Sequence, residues 1–288
     1  MVSEQSYILM EERTMIYFLG DVHGNFEHAR ERVLADRPQA IIFLGDIEAQ
    51  RPFELEIAPL LEAGIDVRWI HGNHDSDTRK NWDNLAGAMH LNIDGKVVEL
   101  AGQTIAGLGG IFRGEVWYPD RASAAGPEPQ FDSYDDYRRA QEKKRPLRLR
   151  KTEAIEASLR SIEFLPGANA AMIDEIRYGK ELKHLSSIFW NTYERMWEQK
   201  ADILVTHEAP SCHPNGFAAI DELAQAMNVK AVFHGHHHDC LDYRAWDDKL
   251  GFRAYGVGFC GIMDEAGKVI QAGDFDEARR YRQQHPYG

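Results

Sequence analysis

Five short apolar runs punctuate the chain, and each is followed by a side chain able to bind a metal. Met15–Leu19 leads to Gly20-Asp21, Ala40–Leu44 to Gly45-Asp46, and Val67–Ile70 to His71-Gly72-Asn73-His74. Ile203–Thr206 leads to His207, and Ala231–Phe233 to His234-Gly235-His236. Runs this short and rich in Ile, Val and Phe predict buried strands. Between them the apolar period lengthens to that of a helix. Phe26, Ala29, Val33 and Leu34 share one face, and Phe217, Ile220, Leu223, Ala224 and Met227 share another. Strands alternating with helices predict largely parallel pairing, with ligands gathered at the carboxyl ends of the strands. All five polar clusters fall at those ends, so residues far apart in sequence can converge on one point.

Two further pairs of strands are expected. Asp94-Gly95 is a tight-turn signal before Lys96–Leu100, and Gly102-Gln103 leads into Thr104–Leu108. Phe252–Val257 and Lys268–Ala272 read as strands near the C-terminus. The expected fold is α/β, with two packed mixed β-sheets flanked by helices and one domain over residues 1–288. Residues 113–200 break the alternation and predict an inserted helical cap. Within it Leu185, Ile188, Phe189, Thr192, Tyr193, Met196 and Trp197 fall on one helical stripe, which serves either as core or as a base-stacking platform.

Composition narrows the classes. At 288 residues, 43% hydrophobic and 27% charged, the chain has the balance of a water-soluble globular protein. No apolar stretch approaches the roughly 20 residues that span a membrane. The first residues lack the basic start and apolar block of a secretory leader, so a cytoplasmic location is expected. Cys212, Cys240 and Cys260 are too few and too odd in number for a disulfide framework. The net charge of −13 opposes wholesale binding to a nucleic-acid backbone. Arg138, Arg139, Lys143, Lys144, Arg145, Arg148, Arg150 and Lys151 nevertheless stand against a single acidic residue, Glu142, in one short segment. That segment is either a solvated helix face or a collector of anions.

The chemistry sits in the polar clusters. Asp21 and His23, in G-D-V-H-G-N, offer a carboxylate oxygen and an imidazole nitrogen one residue apart, pointing the same way while glycines turn the backbone. Asp46 ends the next strand, and a carboxylate has two oxygens with which to bridge two cations. The Asn73 amide oxygen can ligate a hard or borderline metal, and His74 beside it can act on a substrate. His236 and His238, two apart in G-H-H-H-D, face one side of an extended segment and His237 the other. His71 and His234, inside apolar strand ends, read as core histidines. His213, Cys212 and Cys240 flank the ligand loops.

The ordered set D-x-H, G-D, G-N-H-D, H and G-H-x-H, spanning residues 20–238, closely resembles the calcineurin-like metallophosphoesterases. The insertion has no part in that resemblance. Position by position, the resemblance implies a first metal held by Asp21, His23, Asp46 and His238. It implies a second held by Asp46, Asn73, His207 and His236, with Asp46 bridging. Manganese is the first expectation for the two divalent ions, with iron, zinc and cobalt as the other candidates. The implied activity is phosphoester hydrolysis by a metal-activated hydroxide, on a small or medium organic phosphate, mono- or diester. His74 matches the family's general acid. Asn25 and Arg113 are candidates to touch substrate phosphate. One departure stands out. Family members that read G-D-x-x-D/N-R-G after the second strand carry an acidic or amide residue where this chain has Ala49, so Asp75 and Glu48 become the candidates to orient His74. A nuclease is the alternative, favoured by the basic segment and opposed by the net charge. A scaffold of the same fold without catalysis is the remaining reading, although every ligand position is filled.

Overall fold

The structure is a computed structural model that describes residues 15–122, 126–143 and 180–284. The first half contains β1 (Ile16–Leu19), α1 (Glu27–Asp36), β2 (Ala40–Phe43), α2 (Phe53–Glu62), β3 (Asp66–Trp69) and α3 (Arg79–Asn84), then the hairpin strands β4 (Lys96–Leu100) and β5 (Gln103–Leu108). Next come α4 (Tyr134–Lys143), α5 (Lys180–Lys183), α6 (Trp190–Trp197), β6 (Ile203–Thr206), α7 (Ala218–Ala226) and β7 (Ala231–His234). The chain closes with α8 (Asp247–Leu250), β8 (Arg253–Gly256), β9 (Ile262–Asp264), β10 (Val269–Gln271) and α9 (Asp276–Gln284).

Among the described residues, ten strands form two five-stranded sheets, in the orders β10-β9-β1-β2-β3 and β4-β5-β6-β7-β8. β1, β2 and β3 run parallel, as do β5 through β8, while β9, β10 and β4 pair antiparallel. Both sheets are therefore mixed, as expected, and the five ligand-bearing strands are divided between them.

The continuous apolar character of these strands has a simple cause. Successive side chains point to opposite faces, and here both faces are covered. Ile16, Phe18, Ile42, Val205 and Phe233 enter the core between the sheets. Their strand neighbours Tyr17, Leu19, Ile41 and Phe43 face α1 and α2, and Leu204 and Val232 face α6 and α7. The rings of Phe18 and Phe233 stack across the sandwich, 3.8 Å apart and 7° from parallel.

As expected, Asp94-Gly95 turns the chain before β4, and the β4–β5 hairpin turns at Ala101-Gly102, with φ of 48° and 75°. Other expectations shift in detail. β9 was not expected, because three residues beside glycines carry no readable period. The stripe from Leu185 to Trp197 is not one helix. His184–Ser186 is a short 3₁₀ turn, Phe189 is extended, and α6 starts only at Trp190. Ile188, Phe189, Tyr193 and Met196 nonetheless pack with Phe112, Val116 and Trp117 against β6 and α7, so the described parts of 113–200 extend the second sheet's core. Of the basic cluster, Arg138, Arg139 and Lys143 lie on α4. Arg138 pairs with Asp135 and Arg139 with Asp136 on the same helix. Lys144, Arg145, Arg148, Arg150 and Lys151 lie outside the described residues. Cys212, Cys240 and Cys260 are buried and unpaired.

Candidate metal centre

The loops after β1, β2, β3, β6 and β7 meet where the two sheets' carboxyl ends face one another. Donor atoms of Asp21, His23, Asp46 and His238 lie within 4.8 Å of one another, and so do those of Asp46, His207 and His236. The second group also meets Asn73, whose Oδ1 is 3.2 Å from His207 Nε2. Asp46 belongs to both groups, so the seven residues singled out as ligands converge on one place.

Tight loops make this convergence possible. His23, Asp46, His236 and His238 all adopt positive φ, at 42°, 46°, 70° and 56°. Each such residue costs about 1–3 kcal/mol in backbone strain and persists only where its surroundings enforce it. Two motif glycines leave room for the donors. A Cβ on Gly72 would overlap Asp46 and lie 2.5 Å from His207 Cε1, and one on Gly235 would overlap Asp21 Oδ1.

Neighbouring groups aim the ligands. The His207 Nδ1–H donates to the Leu44 carbonyl at 2.8 Å, which presents Nε2 to the centre. His23 Nδ1 is bonded to Glu48, leaving its Nε2 3.7 Å from Asp46 Oδ2. Asp46 Oδ1 accepts the backbone N–H of His74 at 2.7 Å. Buried Asp75 accepts the N–H groups of Gly72 at 2.8 Å and Glu48 at 2.8 Å, tying the second motif to the third.

The electrostatics call for positive charge. Burial and the neighbouring Asp46 push the Asp21 carboxyl up to about 7, against the pull of His207. Asp46 moves the other way, since His207 and His74 outweigh its burial. Burial disfavours charge on His207, yet Asp46 and Asp21 raise it to about 10. His236 and His238 are pushed down, chiefly by burial, to about 3 and about 4, and so stand as neutral imidazoles. Both oxygens of Asp21, Oδ2 of Asp46 and Nδ1 of His236 are buried without a hydrogen-bond partner. Partnerless buried polar atoms are uncommon in native proteins. Converging carboxylate oxygens and neutral imidazoles form a donor set that fits divalent transition metals.

His74 follows Asn73 into the 3₁₀ turn His74–Ser76, and its Nδ1–H donates to Asp77 Oδ2 at 2.6 Å. That bond is the main reason its ring is raised to about 9. The partner is thus neither of the residues anticipated, because Asp75 serves backbone amides and Glu48 serves His23. Asp77 was legible only as a carboxylate three residues beyond a histidine, a spacing that faces it in a tight turn. Arg113 is partly buried. Its Nη2 donates to Ser186 Oγ at 3.2 Å, that hydroxyl lies 3.4 Å from the Asn73 carbonyl, and its Nε has no partner. Asn25 is exposed beside the first loop, its amide 3.9 Å from Cys260 Sγ. His234 is a core histidine as expected, 3.2 Å from the Tyr243 hydroxyl and held down to about 4 by burial. His71 is buried against Trp82. His213 stacks on His237 at 3.8 Å and meets Asp239 at 3.4 Å, lending support behind the last motif.

Comparison with known families agrees with this geometry. The description "calcineurin-like phosphoesterase" matches residues 14–240. The chain belongs to that family. The two mixed sheets are consistent with the calcineurin-like phosphoesterase sandwich. An uncharacterized protein of Haemophilus influenzae is 34% identical to this phosphoesterase-family chain over 258 residues, covering 89% of it and 96% of the relative. Among solved structures, TT1561 of Thermus thermophilus is similar over 90% of this chain and 98% of its own, with 15% identity and a TM-score of 0.48. A dimetal phosphatase from Danio rerio is similar over 85% and 87%, with 14% identity and a TM-score of 0.41. Among the described residues no helix is long and apolar enough to cross a membrane.

Proposed function

We propose that this chain hydrolyses phosphoester bonds of small or medium organic phosphates with two divalent cations bound. The observation that carries the reading is the pair of donor groups sharing Asp46. Asp21, His23, Asp46 and His238 would hold one cation, and Asp46, Asn73, His207 and His236 the other. Bound there, two such ions supply Lewis acidity and neutralise the charge that protects a phosphoester from attack. Manganese is the first choice, then iron, zinc or cobalt.

The remaining roles belong to the protein's own groups. His74 carries a proton that Asp77 stabilises on the ring, and it delivers that proton to the departing oxygen. Arg113 offers N–H donors to a phosphoryl oxygen from a half-dry position, where a charge-assisted bond is stronger than in water. Asn25 offers an exposed amide beside the first ligand loop. The segment 113–200, proposed as a cap, contributes Arg113 and Ser186 beside the third motif. The nuclease reading gains little from Arg138 and Arg139, which pair with Asp135 and Asp136 within α4.

The test is a screen of metal-stripped and metal-reconstituted protein against nucleotides, sugar phosphates and synthetic mono- and diesters. Hydrolysis that appears with manganese and vanishes with chelator is the expected result. Reconstitution with manganese, iron, zinc and cobalt that yields no turnover of any ester would overturn the proposal.

A further inference from the structure

We infer that Phe259 and Phe275 form an aromatic shelf at the rim of the metal centre, shaped to take a flat aromatic ring of the substrate. This inference rests on the phosphoester reading and names the class of ester: one whose alcohol portion carries a planar ring, as a nucleoside or an aryl group does.

A line of rings leads outward from the ligands. The Phe259 ring lies 5.4 Å from the His23 imidazole at 26°, and 5.2 Å from that of His238 at 57°. Phe275 continues the line, 5.3 Å from Phe259 at 38°. It does not end in the core, for Phe275 is 46% exposed. Two donors of the first cluster are therefore flanked by an apolar surface that opens to solvent. A second ring laid on that surface gains contact area and removes it from water.

The shelf is built rigidly onto the centre. Cys260 donates its N–H to the Asp21 carbonyl at 3.1 Å, and Gly20 donates to Gly261 at 3.0 Å, so the Phe259 loop is fastened to the loop of the first ligand. The Asp274 N–H donates to the Phe259 carbonyl at 3.0 Å, joining the Phe275 loop to the Phe259 loop. Asp276 Oδ2 accepts from the Gly273 N–H at 2.8 Å and braces that second loop from behind. A surface held by backbone bonds needs little ordering when a ligand arrives, which favours binding. Asn25, at the same rim through its contact with Cys260, adds an amide able to bond the edge of a heteroaromatic ring.

The experiment compares wild-type protein with the Phe275→Ala and Phe275→Trp variants, each loaded with manganese. Substrates are adenosine monophosphate, naphthyl phosphate and ribose 5-phosphate. Loss of one stacking partner is expected to lower the ratio of kcat/KM for adenosine monophosphate over ribose 5-phosphate about tenfold, mainly through KM. Phe275→Trp should restore the ratio. An effect confined to adenosine monophosphate assigns the shelf to nucleobases, and one shared by naphthyl phosphate assigns it to aromatic rings in general. A ratio that is the same in wild type and Phe275→Ala overturns the shelf and leaves the phosphoester reading standing. A wild-type protein that turns over other esters in the wider screen but neither of the two ring-bearing phosphates also overturns the shelf, while the phosphoester reading falls only if no ester is hydrolysed with any of the four metals.

Discussion

Gly72 gives the sharpest test of how the centre is packed. Replacing it with alanine adds one methyl group at the point where the second, third and fourth motifs touch. The new Cβ would stand 2.5 Å from His207 Cε1 and overlap both Oδ1 and the backbone nitrogen of Asp46, where ordinary contact begins at 3.4 Å. About 1 Å of movement is needed, and all three atoms in the way belong to candidate ligands. Overpacking of this kind costs about 1–3 kcal/mol, equivalent to a fall in Tm of roughly 2–5 °C for a protein of this size. The functional loss should be larger than the stability loss, since a 1 Å error in a reacting geometry costs about a hundredfold in rate. Gly64→Ala is the control. Gly64 also has positive φ, 79°, but its Cβ would meet nothing within 4 Å, so the change strains the backbone without touching the centre. Elemental analysis, thermal melts and turnover on a reconstituted sample should show Gly72→Ala short of metal and Gly64→Ala fully loaded. If Gly72→Ala holds two metals and turns over at the wild-type rate, the contact at Asp46 and His207 is not what positions the donors.

Other outcomes follow from individual side chains. Asp46→Ala should lose bound metal and activity together, because its carboxylate serves both donor groups; two metals per chain with full turnover would refute the bridging role. His74→Ala should keep its metals and slow hydrolysis about 10²–10⁴-fold, with a larger penalty for alkyl leaving groups than for p-nitrophenol, which departs without a proton. Equal penalties for the two would remove His74 from that role, and Asp77→Asn should fall between it and wild type. His184 is buried between Glu115 and Ser187, and burial holds its ring below the ordinary 6.5. A depressed value in the folded state means that stability is full above about pH 6.5 and declines as pH falls, because the unfolded chain takes up that proton first. The Tm advantage of wild type over His184→Gln should therefore shrink between pH 7.5 and pH 5, and a constant gap would show that the ring does not change charge there.

Much of this protein was decided locally. The runs Ile16–Leu19, Ala40–Phe43 and Ile203–Thr206 are strands because a short, almost wholly apolar run leaves no polar face for any other buried element. The convergence of the candidate ligands could be read from the same runs, since a parallel strand delivers the residue after its carboxyl end to a fixed side of the sheet. The alternation expected for His236, His237 and His238 is not what places them, because His236 and His238 take positive φ in a loop rather than an extended segment. What residues far apart do to one another was not legible. Nothing local divides the ligand strands between two sheets; that follows from packing Phe18 on Phe233 across the sandwich. The i, i+3 spacing is the one local hint that joins Asp77 to His74, whereas nothing local joins Glu48 to His23, 25 residues away. Asp75 is drawn inward to the amides of Gly72 and Glu48, which removes it as a partner for either histidine. The same holds for Phe259 and Phe275. Their residue type marked them for the core, and only the backbone bonds to Asp21 and between their two loops hold them at the open rim of the centre.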